Sequence, residues 1–223
     1  MTRCQQLKTE FAALWRAATD HPFITELGNG SLPREKFARY FVQDYVFVND
    51  LVKSASVAVS RAPDLTLARP VENFLHGILG AEDALFLDAF KTLGVSERAY
   101  RNAEPLPTTA ALGNFLVRLA YEGSFTAICA AMYVTEGVYL EWGERLGREG
   151  ADPAGQGGEL GQFYKGWIDL HTEQVLGGIV RFFGDVVDGA PAAELHGLQK
   201  VFERTLRYEV AFWDMAYYGE QWP

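Results

Sequence analysis

The chain has 223 residues, and its 29 Asp and Glu against 20 Lys and Arg give a formal charge of −9 at pH 7. Its 48% hydrophobic content is enough for one domain, 1–223, with a sizeable core. The acidic balance, without any Lys/Arg cluster, argues against nucleic acid and anionic membrane surfaces as partners.

Three further absences narrow the class. No apolar run approaches the ~18 residues of a membrane span, and Met1 to Gln6 carries no signal-peptide core. Cys4 and Cys129 make neither a disulfide framework nor a zinc pattern. A soluble cytoplasmic protein is expected. Aromatic residues make up 13% of the chain, which suits either a well-packed aromatic core or a pocket for a flat ligand.

In chain order, Leu7, Phe11, Leu14 and Trp15 predict a helix from Gln5 to Thr19, ended by His21-Pro22. After the turn Gly28 to Ser31, a long helix is expected to open near Pro33, with Ser31 as N-cap, and to run to Arg61. A helix from Leu65 to Leu93 follows, with an interruption expected near Pro70 and a stop at Gly94. Thr108 or Thr109 is expected to cap a helix to Glu122, and Phe125 to Leu146 forms the next. A loop covers Gly147 to Gly158. Helices from Leu160 to Val187 and from Ala192 to Gly219 complete the chain. There is no alternating strand pattern and no internal repeat, so the expectation is an all-α bundle of about seven helices.

Three of these helices place an acid on an apolar face. Glu209 follows Thr205 by four and precedes Phe212 and Trp213 by three and four, so all share one side of the last helix. Asp44 lies in the stripe Phe37, Tyr40, Phe41, Phe47, Val48, Leu51. Glu136 lies in the stripe Met132, Tyr133, Tyr139, Leu140. One buried carboxylate is readily a partner for a buried Arg. Three of them, with few basic residues on facing stripes, point to a shared polar cavity in the bundle core.

Such a cavity suits a flat, nitrogen-rich ligand, with carboxyls at its edge and rings on its faces. Burial raises a carboxyl pKa, so one acid can protonate a leaving amine while an ionised neighbour activates water. A di-iron site is the rival, but it needs Glu-x-x-His pairs on two helices. None of His21, His76, His171 and His196 follows a Glu by three. Glu72 and His76, four apart, are a single weak alternative. No metal and no cofactor is expected.

The stretches HPFITELGNGSLPREKFARYFVQD (His21–Asp44), FVQDYVF (Phe41–Phe47) and YEVAFWDMAY (Tyr208–Tyr217) resemble the TenA family. These are thiaminase II-like aminopyrimidine aminohydrolases with a haem-oxygenase-like helical fold. The resemblance implies hydrolysis of the aminomethyl C–N bond of 4-amino-5-aminomethyl-2-methylpyrimidine, for salvage of the thiamin pyrimidine. It also implies a homo-oligomer, dimer or tetramer. By resemblance, Asp44 binds the amino and ring nitrogens of the pyrimidine, Glu209 handles the proton on the leaving amine, and Tyr139 and Phe47 line the pocket.

The chain departs from the better-known branch, which carries a nucleophilic Cys four residues before the tyrosine matching Tyr139. Here that position is Thr135, followed by Glu136, as in the branch often called TenA_E. Cys129 comes too early to replace the nucleophile and reads as a small buried hydrophobe. Thr135, with no adjacent base, is a poor substitute. Two expected tyrosines fall on Leu112 and His171. His171 is either a pocket residue or a buried histidine filling a polar gap, and Asp83 reads as a solvated helix residue. The departures leave the amine or its N-formyl derivative as substrate, with Glu136 activating water. They also leave open a non-catalytic pyrimidine-binding protein or regulator, and an oxidase related by fold only.

Overall fold

A computed structural model describes every residue, Met1–Pro223. It contains helices and no strand. The helices are α1 (Arg3–Glu10), α2 (Ala12–Thr19), α3 (Pro22–Gly28), α4 (Arg34–Arg61), α5 (Leu65–Gly77), α6 (Asp83–Leu93), α7 (Glu97–Arg101), α8 (Pro107–Glu122), α9 (Phe125–Arg148), α10 (Pro153–Gln156), α11 (Gly161–Leu170), α12 (Gly177–Asp188) and α13 (Leu195–Tyr218). A π-helical turn, Ile78–Glu82, joins α5 to α6. None of the helices is long and apolar enough to cross a membrane.

The expected count of about seven is therefore too low, because continuous apolar periodicity hides breaks. The first expected helix bends at Phe11, whose ring stacks on Phe202 at 6.1 Å. The expected Leu160–Val187 helix ends at Leu170, turns through His171 to Leu176, and restarts as α12. In the 65–93 region the expected interruption at Pro70 does not occur. Pro70 lacks only the one amide that would have reached back one turn, and α5 continues past it to the π turn.

The caps also depart from expectation. Pro33, not Ser31, is the N-cap of α4. Neither Thr108 nor Thr109 caps α8. Instead Pro107 opens it, and the carboxylate of Glu220, from the chain's C-terminal tail, accepts from the Thr108 amide at 2.7 Å and hydroxyl at 2.9 Å. Other ends follow the sequence. Ser124 accepts from the Ala127 amide to start α9, and Gly94 closes α6 at φ 72°, a conformation glycine adopts without penalty.

The long helices α4, α9 and α13 bury their aromatic stripes in one core that includes Phe37, Tyr40, Phe41, Trp142, Trp167, Phe202 and Trp213. Shielding such large rings from water contributes about 1.5–3 kcal/mol each. That surplus lets the same core carry unpaired acids.

Candidate functional site

The three acids meet. Asp44 and Phe47 from α4, Thr135, Glu136 and Tyr139 from α9, and Glu209 and Phe212 from α13 line one cavity. Trp167 from α11, His171 just after it, and Leu112 from α8 complete its wall. All six residues singled out in the sequence (Asp44, Phe47, Glu136, Tyr139, His171 and Glu209) face this space. So does Leu112, at one of the positions where a tyrosine was expected. Asp44, Glu136 and Glu209 are 5%, 9% and 3% exposed, so each acid is buried as the spacing indicated, although Tyr133, Tyr139 and Leu140 of the Glu136 stripe are only partly so.

One acid went unnoticed in the sequence. Glu82, the last residue of the π turn, also lines the cavity. The signal was present, because Phe74, Ile78, Glu82 and Phe86 recur at four-residue steps, the same pattern that exposed the other three. Asp83 lies off this wall, beside the Tyr45 hydroxyl. Cys129 is fully buried outside the cavity, and burial alone lifts its thiol to about 12. It is a core hydrophobe, as the sequence reading had it.

No Lys or Arg lines the cavity. The acids are therefore held toward their neutral forms. Burial lifts Asp44 to about 8, with the Tyr40 hydroxyl opposing and the Glu136 charge reinforcing the shift. Burial lifts Glu136 to about 7, and the hydroxyl of Thr135, 3.1 Å from its Oε1, partly offsets the rise. Glu209 stands well above the ordinary range through burial, then through Glu136 and Asp44. Glu82 is raised by burial and by Asp44, Glu136 and Asp83. Its side chain is partly buried, between the cavity and the space outside it.

His171 has a fixed tautomer. Its Nδ1 lies 2.6 Å from the Trp167 carbonyl oxygen, which can only accept, so Nδ1 carries the proton and Nε2 presents a lone pair. Burial lowers its pKa to about 4, and the imidazole is neutral. The ring packs against Tyr139, Trp142 and Trp167. Gly143 makes this placement possible, since a Cβ there would meet the His171 carbonyl oxygen at 2.1 Å. The Tyr139 hydroxyl bonds that of Tyr40 at 2.9 Å. The indole N–H of Trp167 is buried and lies toward the Tyr40 hydroxyl without forming a hydrogen bond of good geometry.

The cavity is small, about 40 Å³, but it adjoins a vestibule of about 310 Å³. Phe74, Ile78, Glu82 and His171 line both, and so form the neck between them. The arrangement offers aromatic faces, several carboxyl edges and no fixed cation. Its chemistry suits a ligand rich in N–H donors or bearing positive charge. No group of three or more His, Cys, Asp or Glu is arranged to hold a metal, and the weak alternative Glu72 and His76 lies on exposed positions.

Comparison with known proteins follows this geometry. The model of the TENA/THI-4/PQQC family matches residues 9–219. A curated relative from Halalkalibacterium halodurans, named aminopyrimidine aminohydrolase, is 29% identical over 94% of this chain and 92% of its own length. A second with the same name, from Bacillus subtilis, is 27% identical over 98% of this chain and 91% of its own. Among solved structures, a TenA homologue from P. horikoshii OT3 superposes with a TM-score of 0.85 at 22% identity, covering 99% of this chain and 100% of that one. A haem-oxygenase-like domain from Shewanella denitrificans OS217 superposes at 0.75, with 16% identity over 98% of this chain and 93% of its own, so the fold is haem-oxygenase-like.

Proposed function

Because the chain belongs to the TENA/THI-4/PQQC family, we propose that it is an aminopyrimidine aminohydrolase of thiamin-pyrimidine salvage. It hydrolyses the aminomethyl C–N bond of 4-amino-5-aminomethyl-2-methylpyrimidine, or of the N-formyl derivative, to the hydroxymethylpyrimidine. The observation that carries this reading is the cation-free cavity with carboxyls from three helices and the π turn, in a chain whose curated relatives bear that name.

Asp44, neutral at pH 7, donates to a ring nitrogen and accepts from the exocyclic amino group, a two-point pairing that orients the pyrimidine. Phe47 and Tyr139 pack on its faces. Glu209, held protonated, keeps a proton on the leaving nitrogen, or supplies one when that nitrogen is acylated. Glu136, near neutrality, is ionised in a useful fraction of molecules and takes a proton from water. The water oxygen bonds to the methylene carbon as the C–N electron pair leaves with the protonated nitrogen, as ammonia from the amine or as formamide from the N-formyl derivative. Thr135 stands where the other branch has its cysteine, and its hydroxyl lies beside Glu136. Its contribution is to hold the base, so the reaction needs no covalent intermediate.

The same reading takes the chain as one domain acting in the cytoplasm as a homo-oligomer. The exposed Tyr218 and Trp222, near the C-terminus, suit an interface. The test is formation of the hydroxymethylpyrimidine by the purified protein from the aminomethylpyrimidine, the N-formyl derivative and thiamin, with the co-product (ammonia, formamide or the thiazole) identified. Turnover of either aminopyrimidine, lost in Glu209→Gln, is expected. A folded protein that turns over none of the three overturns the proposal.

A further inference from the structure

The neck between cavity and vestibule has a composition that the proposed chemistry has not yet used. Four residues bound it: Phe74, Ile78, Glu82 and His171. Two are apolar. The other two present acceptors, the Glu82 carboxyl and the lone pair of His171 Nε2. Neither side chain has a donor partner in the protein: Glu82 forms no ion pair or hydrogen bond, and the one bond of His171 uses Nδ1. An acceptor pair without protein donors, open to the vestibule, is free to receive the donors of a ligand.

The backbone is shaped to produce it. One π turn, Ile78–Glu82, sits between two α-helical segments, and both of its end residues line the neck. A π turn is rare, stands as a single turn inside an α-helix, and is frequent at functional sites. Glu82 also lies near enough to Glu136 for the Glu136 charge to oppose its ionisation. Under the reaction above, Glu136 activates the water that attacks the methylene carbon. The amine on that carbon is then close to Glu82.

Size points the same way. The inner cavity, about 40 Å³, holds roughly three waters, less than a substituted pyrimidine needs. A ring lodged among Asp44, Glu136 and Glu209 therefore extends its arm toward the neck.

We propose that Glu82, with His171 beside it, binds the charged amine end of the substrate at this neck and selects the free amine over neutral derivatives. The ligand supplies the cation that the cavity lacks. The proposal rests on the aminopyrimidine reading, but it concerns a residue that takes no part in the reaction steps described above.

The experiment compares two ligands that differ only at the leaving position. KM is measured for the aminomethylpyrimidine, and KI for the hydroxymethylpyrimidine as competitor, in wild type and in Glu82→Gln. A charge-assisted hydrogen bond lost in the variant is expected to raise KM about tenfold to a hundredfold, with KI changed less than about twofold. Glu82→Asp, which keeps a carboxyl on a shorter arm, recovers part of the loss. A rise in both constants together, or in neither, overturns the assignment. If wild type turns over neither amine, the aminohydrolase reading fails by itself. The same two ligands are then titrated by calorimetry, and equal loss of affinity for both in Glu82→Gln overturns the role of Glu82 separately. Far-ultraviolet circular dichroism confirms that each variant is folded. If Glu82→Gln does not fold, Glu82→Asp is compared with wild type, and an unchanged KM-to-KI ratio overturns the role.

Discussion

Replacing Glu136 by glutamine is expected to stabilise the protein, and to do so only at higher pH. Burial holds this carboxyl at about 7 against an ordinary value of 4.5. A group whose pKa is higher in the folded state keeps its proton longer there than in the unfolded chain. Its contribution to stability is complete below about pH 4.5 and is lost as pH rises through about 7. At roughly 1.4 kcal/mol per pH unit, the full loss is about 3 kcal/mol. Glutamine keeps the shape and one hydrogen-bond acceptor but never ionises. Wild type and Glu136→Gln should therefore melt within a degree or so of each other near pH 4. Above pH 8 the variant should melt higher by ~6–12 °C, at ~2–4 °C per kcal/mol for a chain of this size. Thermal melts across that range, with urea titrations at both ends, read it directly. A gap between the two proteins that is the same at both ends of the range refutes the reasoning, because Glu136 would then be ionised throughout and balanced by a cation. So does a variant that is less stable at high pH.

Other outcomes follow from the same site. Glu209→Gln should remove ammonia release while leaving ligand binding measurable by calorimetry; substantial turnover in that variant would remove Glu209 from the proton step. Asp44→Asn should keep KM within about fivefold, since an amide reproduces the donor and acceptor of a neutral carboxyl, whereas Asp44→Ala should raise it about tenfold or more. Equal damage from both would mean that Asp44 binds as the anion. Thr135→Ala removes a hydrogen bond that favours the ionised form of Glu136. It should cost about fivefold in kcat/KM at pH 7 and move the acidic limb of the pH profile upward. A collapse of three orders of magnitude or more would make Thr135 the nucleophile after all. Because His171 is held near 4 by burial, His171→Gln should leave that limb, set by Glu136 near 7, where it is; a shifted limb would assign it to the imidazole.

The parts of the site that could be read from the chain share one property: each is a local mismatch. Asp44, Glu136 and Glu209 break apolar stripes whose period is fixed by the helix, so three- and four-residue spacing alone places them inside. Glu82 breaks a stripe too, but Pro70 drew the eye to an interruption eight residues before the real one. The helix runs through the proline and loosens at the π turn. His171 was visible as a residue, while its tautomer was not. That depends on a turn at Leu170 inside an uninterrupted apolar pattern, and on Gly143 admitting the His171 backbone from another helix. The cap of α8 by Glu220 is likewise a contact across the chain that no local spacing carries.

The physical reason for this division also bears on function. Local rules are obeyed wherever stability is the only demand, and a chain departs from them where another demand competes. Four acids share one cavity with no fixed cation. Each is destabilising when ionised, so a fold selected for stability alone would have replaced them with leucine or glutamine. Their cost disappears if the cavity is occupied by a ligand that brings N–H donors and positive charge. Ligand binding should then raise the melting temperature more at pH 8 than at pH 5, because only at the higher pH does the ligand relieve carboxylates that the empty protein must otherwise bury. A ligand-induced rise that is equal at the two pH values would show that the acids stay neutral in the complex, and the cavity would then be a hydrogen-bonding pocket without a role for charge.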